Sequence, residues 1–512
     1  SLMRGWPFNS SMARVPLGPF ARHVSMNAPL TKNDSGFDVE SGSFRDPESR
    51  IFYADGAVYR ALSRDGLADF EALKATKVFE SAQADGRLVK TELVEEADSQ
   101  PNLLVHERAG VLKHERIPFV SYPYEWPFSM LKDAALLQLD LLEASLKEGL
   151  TLKDASSYNV QFKGSKPVFV DVGSFERRRE GEGWVGYRQF CMLFLYPLML
   201  QAVKDVPYHG LLRGQIDGIP PTQMRDLSSF RDRFRKGFTT SVFLHARLEA
   251  KYADRAAEVK GELKRANMQS EILLAQVRKM RKVVGRLQWN PPQGVWVAYG
   301  ERNSYSDADA QRKDEFVREV ATSQRWPMTW DIGANNGRYS RIAAEGSDYV
   351  LALDADQGPM ELLYRTLRDE GAENILTLTM NLADQSPNLG WRGTERRDLA
   401  GRGVPDLVLA LALIHHTTIT ANVPVAEFID WLASLETSLV IEFPTHEDPM
   451  VQKLLSGKRE GLHTDYERGN FERVLWDSFD VERRERLASG TRLLYYARPK
   501  GQGAPLALPA ED

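Results

Sequence analysis

A single cysteine, Cys191, is present in the 512 residues. An intramolecular disulfide is therefore excluded, and so is a zinc site built from cysteines. No apolar stretch is long enough to cross a bilayer. The longest, Phe190 to Leu200, carries Pro197 and falls well short of the roughly 20 residues that a spanning helix needs; it reads as a buried core helix. An excess of one charge is missing too. With 66 Lys and Arg against 71 Asp and Glu, the formal net charge is −5, which leaves no global electrostatic footprint for nucleic acid. The opening residues lack the basic start, apolar stretch and small-residue cleavage site of a secretory signal. These absences together lead to the expectation of a cytoplasmic protein with no membrane span and no nucleic-acid partner.

What is present is a long chain with changing patterns, and its length favours two to four domains. Residues 1–45 mix Pro, Gly, Ser and Asn with scattered aromatics and show no sustained period, as a disordered leader would. From Ile51 short β-type runs take over, Arg50 to Tyr53 and Ala57 to Leu62, with Asp55-Gly56 between them as a hairpin signal. Further runs, Arg87 to Val94 and Ile117 to Tyr122, are followed by a helical stretch, Ser129 to Leu150, with Leu139, Leu142 and Leu146 on one face. A β-lobe thus leads into a helical lobe.

After that helix comes Leu152-Lys153-Asp154-Ala155-Ser156-Ser157-Tyr158-Asn159, and then Val168-Phe169-Val170-Asp171-Val172-Gly173. An Asp five residues before an Asn, with an Asp-x-Gly twelve residues further on, is the spacing of a phosphotransferase catalytic loop and its metal-binding turn. The region resembles protein kinases and aminoglycoside phosphotransferases. That resemblance implies an α+β kinase-like domain over 46–240, with Asp154 as base, Asn159 and Asp171 as magnesium ligands, and Mg-ATP as cofactor. The pattern departs from those families in three ways. Leu152-Lys153 stands where His-Arg is usual, the β-lobe has no Gly-x-Gly-x-x-Gly loop, and Lys90 is the candidate phosphate-binding lysine. Read without the resemblance, Asp154 caps a turn and Asp171 ends a strand. The expectation is a kinase-like fold without efficient phosphotransfer.

A helical linker follows over 241–290. In it Leu273, Val277, Met280, Val284 and Leu287 alternate in steps of four and three, a two-heptad seam. Such a seam either packs on its own protein or offers a homodimer contact through 270–287. Asn290-Pro291-Pro292-Gln293-Gly294 ends it.

From 291 to 500 the chain alternates strand and helix, as in a mostly parallel sheet. Its central stretch is Thr329-Trp330-Asp331-Ile332-Gly333-Ala334-Asn335-Asn336-Gly337-Arg338, a buried strand, a glycine turn and a helix start. Two glycines four residues apart let backbone amides approach a ligand closely. The next strand ends in Asp354, about twenty residues beyond the first glycine, where a carboxylate can accept both hydroxyls of a ribose. The stretch resembles motif I and the acidic motif of class I S-adenosylmethionine-dependent methyltransferases. The resemblance implies a Rossmann-like, mostly parallel seven-stranded sheet, with Asp331, Gly333, Asn335, Gly337 and Asp354 around S-adenosylmethionine. Asn381, Leu382 and Ala383 would then lie along the adenine. His415 and His416, after the fourth strand, are candidates to face the acceptor and remove its proton. The last residues, 501–512, read as a loose tail.

Together with Tyr122-Pro123-Tyr124-Glu125-Trp126 and Asp448-Pro449-Met450-Val451, these motifs resemble a bacterial group of methyltransferases related to nodulation proteins. That group implies a small-molecule or carbohydrate-type acceptor. The fold class expected for the whole chain is α/β: a Rossmann-like methyltransferase domain, preceded by an α+β kinase-like domain and a long connecting helix.

Overall fold

The computed structural model describes residues 38–54, 56–94, 109–179, 181–252, 270–291, 307–459 and 461–508. Of the expected leader, 1–37 lie outside the described residues. Residues 38–45 are built into the fold: strand β1 (Asp38–Val39) pairs with β2 (Ser49–Ala54), and Ser41–Arg45 forms a 3-10 turn whose first amides are capped by Glu40. The leader therefore ends earlier than its composition suggests, because Glu40 also accepts from Tyr53 and Arg397.

Strand β3 (Ala57–Leu62) completes the hairpin with β2, and Gly56 supplies the left-handed turn residue at φ 75°. Helices α1 (Arg64–Lys74) and α2 (Lys77–Ala84) start at Ser63 and Thr76, whose hydroxyls accept from backbone amides of the first turn. Strands β4 (Thr91–Leu93) and β5 (Gly110–His114) close an antiparallel sheet of order β1-β2-β3-β5-β4. The run Arg87 to Val94 pairs as a strand only over β4, because Leu88 turns away to bridge Phe169.

Helix α3 (Phe128–Lys147) is buried on most of its circumference, as its leucines at 137, 139, 141, 142 and 146 require. Two small hairpins follow, β6 (Leu150–Leu152) with β9 (Phe175–Arg177) and β7 (Val160–Lys163) with β8 (Lys166–Phe169). The apolar run around Cys191 is a buried π-helical turn, Cys191–Leu195, that continues into α4 (Tyr196–Lys204). Helix α5 (His209–Gly214) comes next. In α6 (Ser270–Arg286), Leu273, Val277, Met280 and Val284 are all buried. This seam packs within the chain against α3, where Arg278 and Arg281 pair with Glu143 and Asp140 and Lys132 donates to the Leu287 carbonyl. The seam thus packs inside the chain.

The second half begins with α7 (Asp307–Ala321). It is built on β10 (Trp326–Ile332), α8 (Arg338–Ala344), β11 (Ser347–Asp354), α9 (Gln357–Glu370), β12 (Ile375–Thr379) and β13 (Leu407–Ala410). Then come α10 (Val425–Ser434), β14 (Ser438–Pro444), α11 (Pro449–Leu455), α12 (Arg468–Ser478), β15 (Phe479–Arg486) and β16 (Arg492–Pro499). The strand order is β12-β11-β10-β13-β14-β16-β15, parallel from β12 to β14, with β16 antiparallel to both neighbours. Order reverses between β10 and β13, so the crevice for a ligand opens there at the carboxyl ends of the strands. The expected loose tail is tied down as far as Leu506. Asp480 accepts from Gly501 and Gly503, Leu506 donates to the Val481 carbonyl, and Trp476 donates to that of Leu506.

The two halves share one continuous apolar core. Phe119 meets Trp330 of β10 edge to face, Glu361 of α9 accepts from the amide and hydroxyl of Ser129, and Tyr364 donates to Asp133. The segment between β12 and β13 reaches furthest across. Its Arg402 pairs with Glu125 at 2.7 Å, each only 1% exposed, and lies over the rings of Phe119 and Tyr122. Leaving one charge of such a pair buried alone costs about 3–5 kcal/mol. Arg402→Met should therefore lower the unfolding free energy by about that much in urea titration. A loss below about 1 kcal/mol, the range of an exposed pair, would show that the halves are held elsewhere.

Candidate cofactor and acceptor site

The glycine turn sits at the point where the strand order reverses. Gly333, Asn335 and Gly337 all adopt the left-handed conformation, at φ 85°, 49° and 76°. At Gly337 the left-handed backbone favours glycine, and a Cβ there would come within 2.5 Å of the Leu363 methyls, which would have to shift. The amides of Gly333 and Ala334 donate to the Leu353 carbonyl, which binds the turn to β11. Asp354 then gathers the loop: its Oδ2 accepts from the Asn335 amide at 2.9 Å and its Oδ1 from the Asp356 amide at 2.8 Å. Each oxygen keeps a further lone pair, so the donor set fits a ribose diol beside two retained amide bonds.

Asp331 ends the preceding strand and accepts from the Ser340 hydroxyl at 2.6 Å. Complete burial pushes its pKa up to about 6, and the charge of Asp354 adds to that. Asn381 caps a short turn, Leu382–Asp384, by accepting from the Ala383 amide. The preceding Met380 amide donates to the Asp354 carbonyl. The residues expected around the cofactor, Asp331, Gly333, Asn335, Gly337, Asp354 and Asn381 to Ala383, thus lie along one edge.

The histidine pair departs from expectation. His415 is buried, its Nδ1 has no hydrogen-bond partner among the described residues, and its ring centroid is 4.2 Å from that of His416. Burial pushes both pKa values down, His415 well below the usual range and His416 to about 4, with Arg492 adding to the effect. An imidazole that holds a proton so weakly is a poor general base at neutral pH. These electrostatics favour neutral, orienting side chains over proton acceptors.

Sequence reasoning missed a chain of charges beside them. Lys313 of α7 reaches Glu442 of β14 at 2.6 Å, Arg492 of β16 lies 3.1 Å from the other Glu442 oxygen, and Arg492 also binds Asp448 at 2.7 Å. All four are buried. A signal was available, since Glu442 interrupts the apolar run Leu439 to Phe443.

In the first half, Asp171 is occupied in an unexpected way. Arg60 of β3 lies 2.7 Å from its Oδ1 and Ser174 donates to its Oδ2, while Asn159 donates to that same serine. Burial alone would raise the Asp171 pKa, but Arg60 and Ser174 hold it below the usual carboxylate range. A guanidinium therefore stands at the carboxylate expected to bind magnesium. Among the described residues, no group of three His, Cys, Asp or Glu side chains is arranged to hold a metal ion. Lys90 is exposed outside β4 and Asp154 is exposed; the basic residue in contact with Asp171 is Arg60, and the charge of Lys153 acts on Asp154 and Asp171 as well. Asp154, Asn159 and Asp171 line a cleft of ≈1790 Å³ that Arg396, Arg397 and Arg402 also line.

Strand order, glycine turn and terminal acid define a class I methyltransferase-type fold. A curated relative covers nearly the whole chain: nodulation protein NoeA of Rhizobium meliloti (strain 1021), 32% identical over 463 residues, which are 89% of this chain and 95% of that one. The chain belongs to the family of this nodulation protein. Solved structures that align with it include N-methyltransferase NodS from Bradyrhizobium japonicum WM9, at 11% identity over 38% of this chain and 98% of that one, TM-score 0.28. Another is magnesium protoporphyrin IX methyltransferase from Synechocystis PCC 6803 with bound S-adenosylhomocysteine, at 17% identity over 40% and 95%, TM-score 0.28. No protein-family model matches.

Because Asp331 binds its proton more tightly folded than unfolded, it stabilises the fold at low pH. That contribution fades as pH rises from about 4, the ordinary value, through about 6. Asp331→Asn lacks this titration. Its unfolding free energy relative to the wild-type chain should rise by roughly 2–3 kcal/mol between those pH values. A flat difference across a pH series of denaturant titrations would contradict the assignment.

Proposed function

We propose that the chain is an S-adenosylmethionine-dependent methyltransferase. The observation that carries this reading is the glycine turn at the strand reversal, with Asp354 held open to a diol on the neighbouring strand. The cofactor would supply an activated methyl group. The protein would position the acceptor in line with it and exclude water. Asp354 takes the ribose, Gly333 and Gly337 allow backbone approach, and Asn381 to Ala383 border the adenine. Neutral His415 and His416 orient the acceptor. The acceptor class we favour is a small-molecule or carbohydrate-type compound, in keeping with a relative named for nodulation.

The first half, in this reading, is a kinase-like module that binds substrate or scaffolds the second half, and does not transfer phosphate. The Arg60 to Asp171 pair supports this, because magnesium would have to displace a guanidinium already in contact with its ligand. Mg-ATP is accordingly not expected as a working cofactor.

Two measurements test the proposal. Calorimetry should show S-adenosylmethionine binding that Asp354→Ala weakens by about 1.5–3 kcal/mol, the value of a hydrogen bond to a charged group; unchanged affinity in a folded variant would sink it. ATP with magnesium should show no turnover above that of Asp154→Ala. Turnover abolished by Asp154→Ala or Asp171→Ala would instead make the protein a bifunctional kinase and methyltransferase.

A further inference from the structure

The methyltransferase reading leaves open why a lysine and a glutamate lie buried beside the glycine turn. Lys313 and Glu442 are 2.6 Å apart, with side chains only 2% and 0% exposed. Withdrawing two charges from water costs several kcal/mol per ion, and apolar side chains of similar volume would hold α7 to the sheet at least as well. Stability alone is a weak reason for this pair.

Its position is specific. The Lys313 ammonium lies 4.7 Å from the ring centroid of Tyr339, two residues beyond Gly337. Its charge also acts on Asp331, two residues before Gly333. The pair therefore lies close to residues just before and just after the turn in sequence, on the β14 side of the reversal, away from β12 and the adenine edge. Other basic groups near the turn are already engaged: Arg338 pairs with Asp314, and Arg492 with Asp448 and Glu442.

We propose that Lys313 and Glu442 form the receptor for the α-amino acid end of the cofactor. The zwitterion inserts between them, Lys313 taking the carboxylate and Glu442 the ammonium. The inference rests on the methyltransferase reading and adds to it the group that selects the amino acid end. The charge count supports it: one internal ion pair is exchanged for two intermolecular ones, with no change in the net charge of the site. Neither group is stranded while the exchange occurs, because Glu442 retains Arg492, and Arg492 retains Asp448. A lysine suits the role, as a compact ammonium on a flexible stem can turn from one carboxylate to another.

The test compares two ligands on the full chain by calorimetry. S-adenosylhomocysteine carries the amino acid end; 5′-methylthioadenosine has the same adenosine and thioether without it. Lys313→Met and Glu442→Gln should each weaken S-adenosylhomocysteine by about ten-fold or more, and leave methylthioadenosine within about two-fold. Lys313→Arg should retain more of the preference than Lys313→Met. The double variant, Lys313→Met with Glu442→Gln, should bind S-adenosylhomocysteine no worse than the weaker single one, because both act on one receptor. If Lys313→Met fails to fold, Glu442→Gln and the double variant, which keeps the site closer to neutral, give the same comparison. Parallel loss of both ligands would mean that the pair only supports the fold, and unchanged S-adenosylhomocysteine affinity would place the amino acid end elsewhere; either result overturns the proposal. A wild-type chain that binds methylthioadenosine and not S-adenosylhomocysteine overturns it while leaving the adenosine site standing. One that binds neither ligand removes the methyltransferase reading as well.

Discussion

Two peptide N–H groups converge on the carboxylate of Asp354, and the carboxyl edge of the sheet takes its shape from that convergence. One amide belongs to the glycine turn after β10, the other to the start of α9. A single side chain thereby fixes the spacing between two crossover connections, and Asn335, the one non-glycine among the left-handed residues at 333, 335 and 337, is held there by its amide bond to Asp354. Leu363 of α9 closes over Gly337 from the same side. A ligand seated there would meet a preformed surface, with little ordering left to do on binding.

Charge governs the rest of that edge. Lys313, Glu442, Arg492 and Asp448 alternate in sign through a buried line, and the two histidines beside them stay neutral because burial and the nearby cations both oppose a further positive charge. Arg60 and Asp171 show a related arrangement in the first half: a half-buried carboxylate is paired with a guanidinium from β3. In both places opposite charges are placed in contact away from water.

The sequence made the local part of this legible. Turn, strand end and terminal acid lie within about twenty residues of each other, so Gly333, Gly337 and Asp354 were readable without a fold. The seam from Leu273 to Val284 announced that something covers it, but not that α3 does, because an apolar face carries no address. Arg60 and Asp171 are far apart in the chain and meet only when β3 is laid against the later hairpin; no spacing rule connects them. The His415 and His416 pair was visible, but its protonation was not, since that depends on burial and on Arg492 from the last strand. The tail misled for a related reason: its glycines and prolines look unstructured, while the carboxylate that holds Gly501 and Gly503 belongs to β15.

The segment between β12 and β13 sets the order in which the molecule can be completed. Arg402 follows its partner Glu125 by 277 residues, and at roughly 5–20 residues per second a ribosome needs about 15–55 s to make that stretch. During that interval Glu125 has the Tyr122 amide and later the Ser386 hydroxyl but lacks its guanidinium, and Phe119 waits for Trp330 through the earlier part of it. The contact between the halves is thus completed when only β10, β11 and β12, three of the seven strands of the second sheet, have been made.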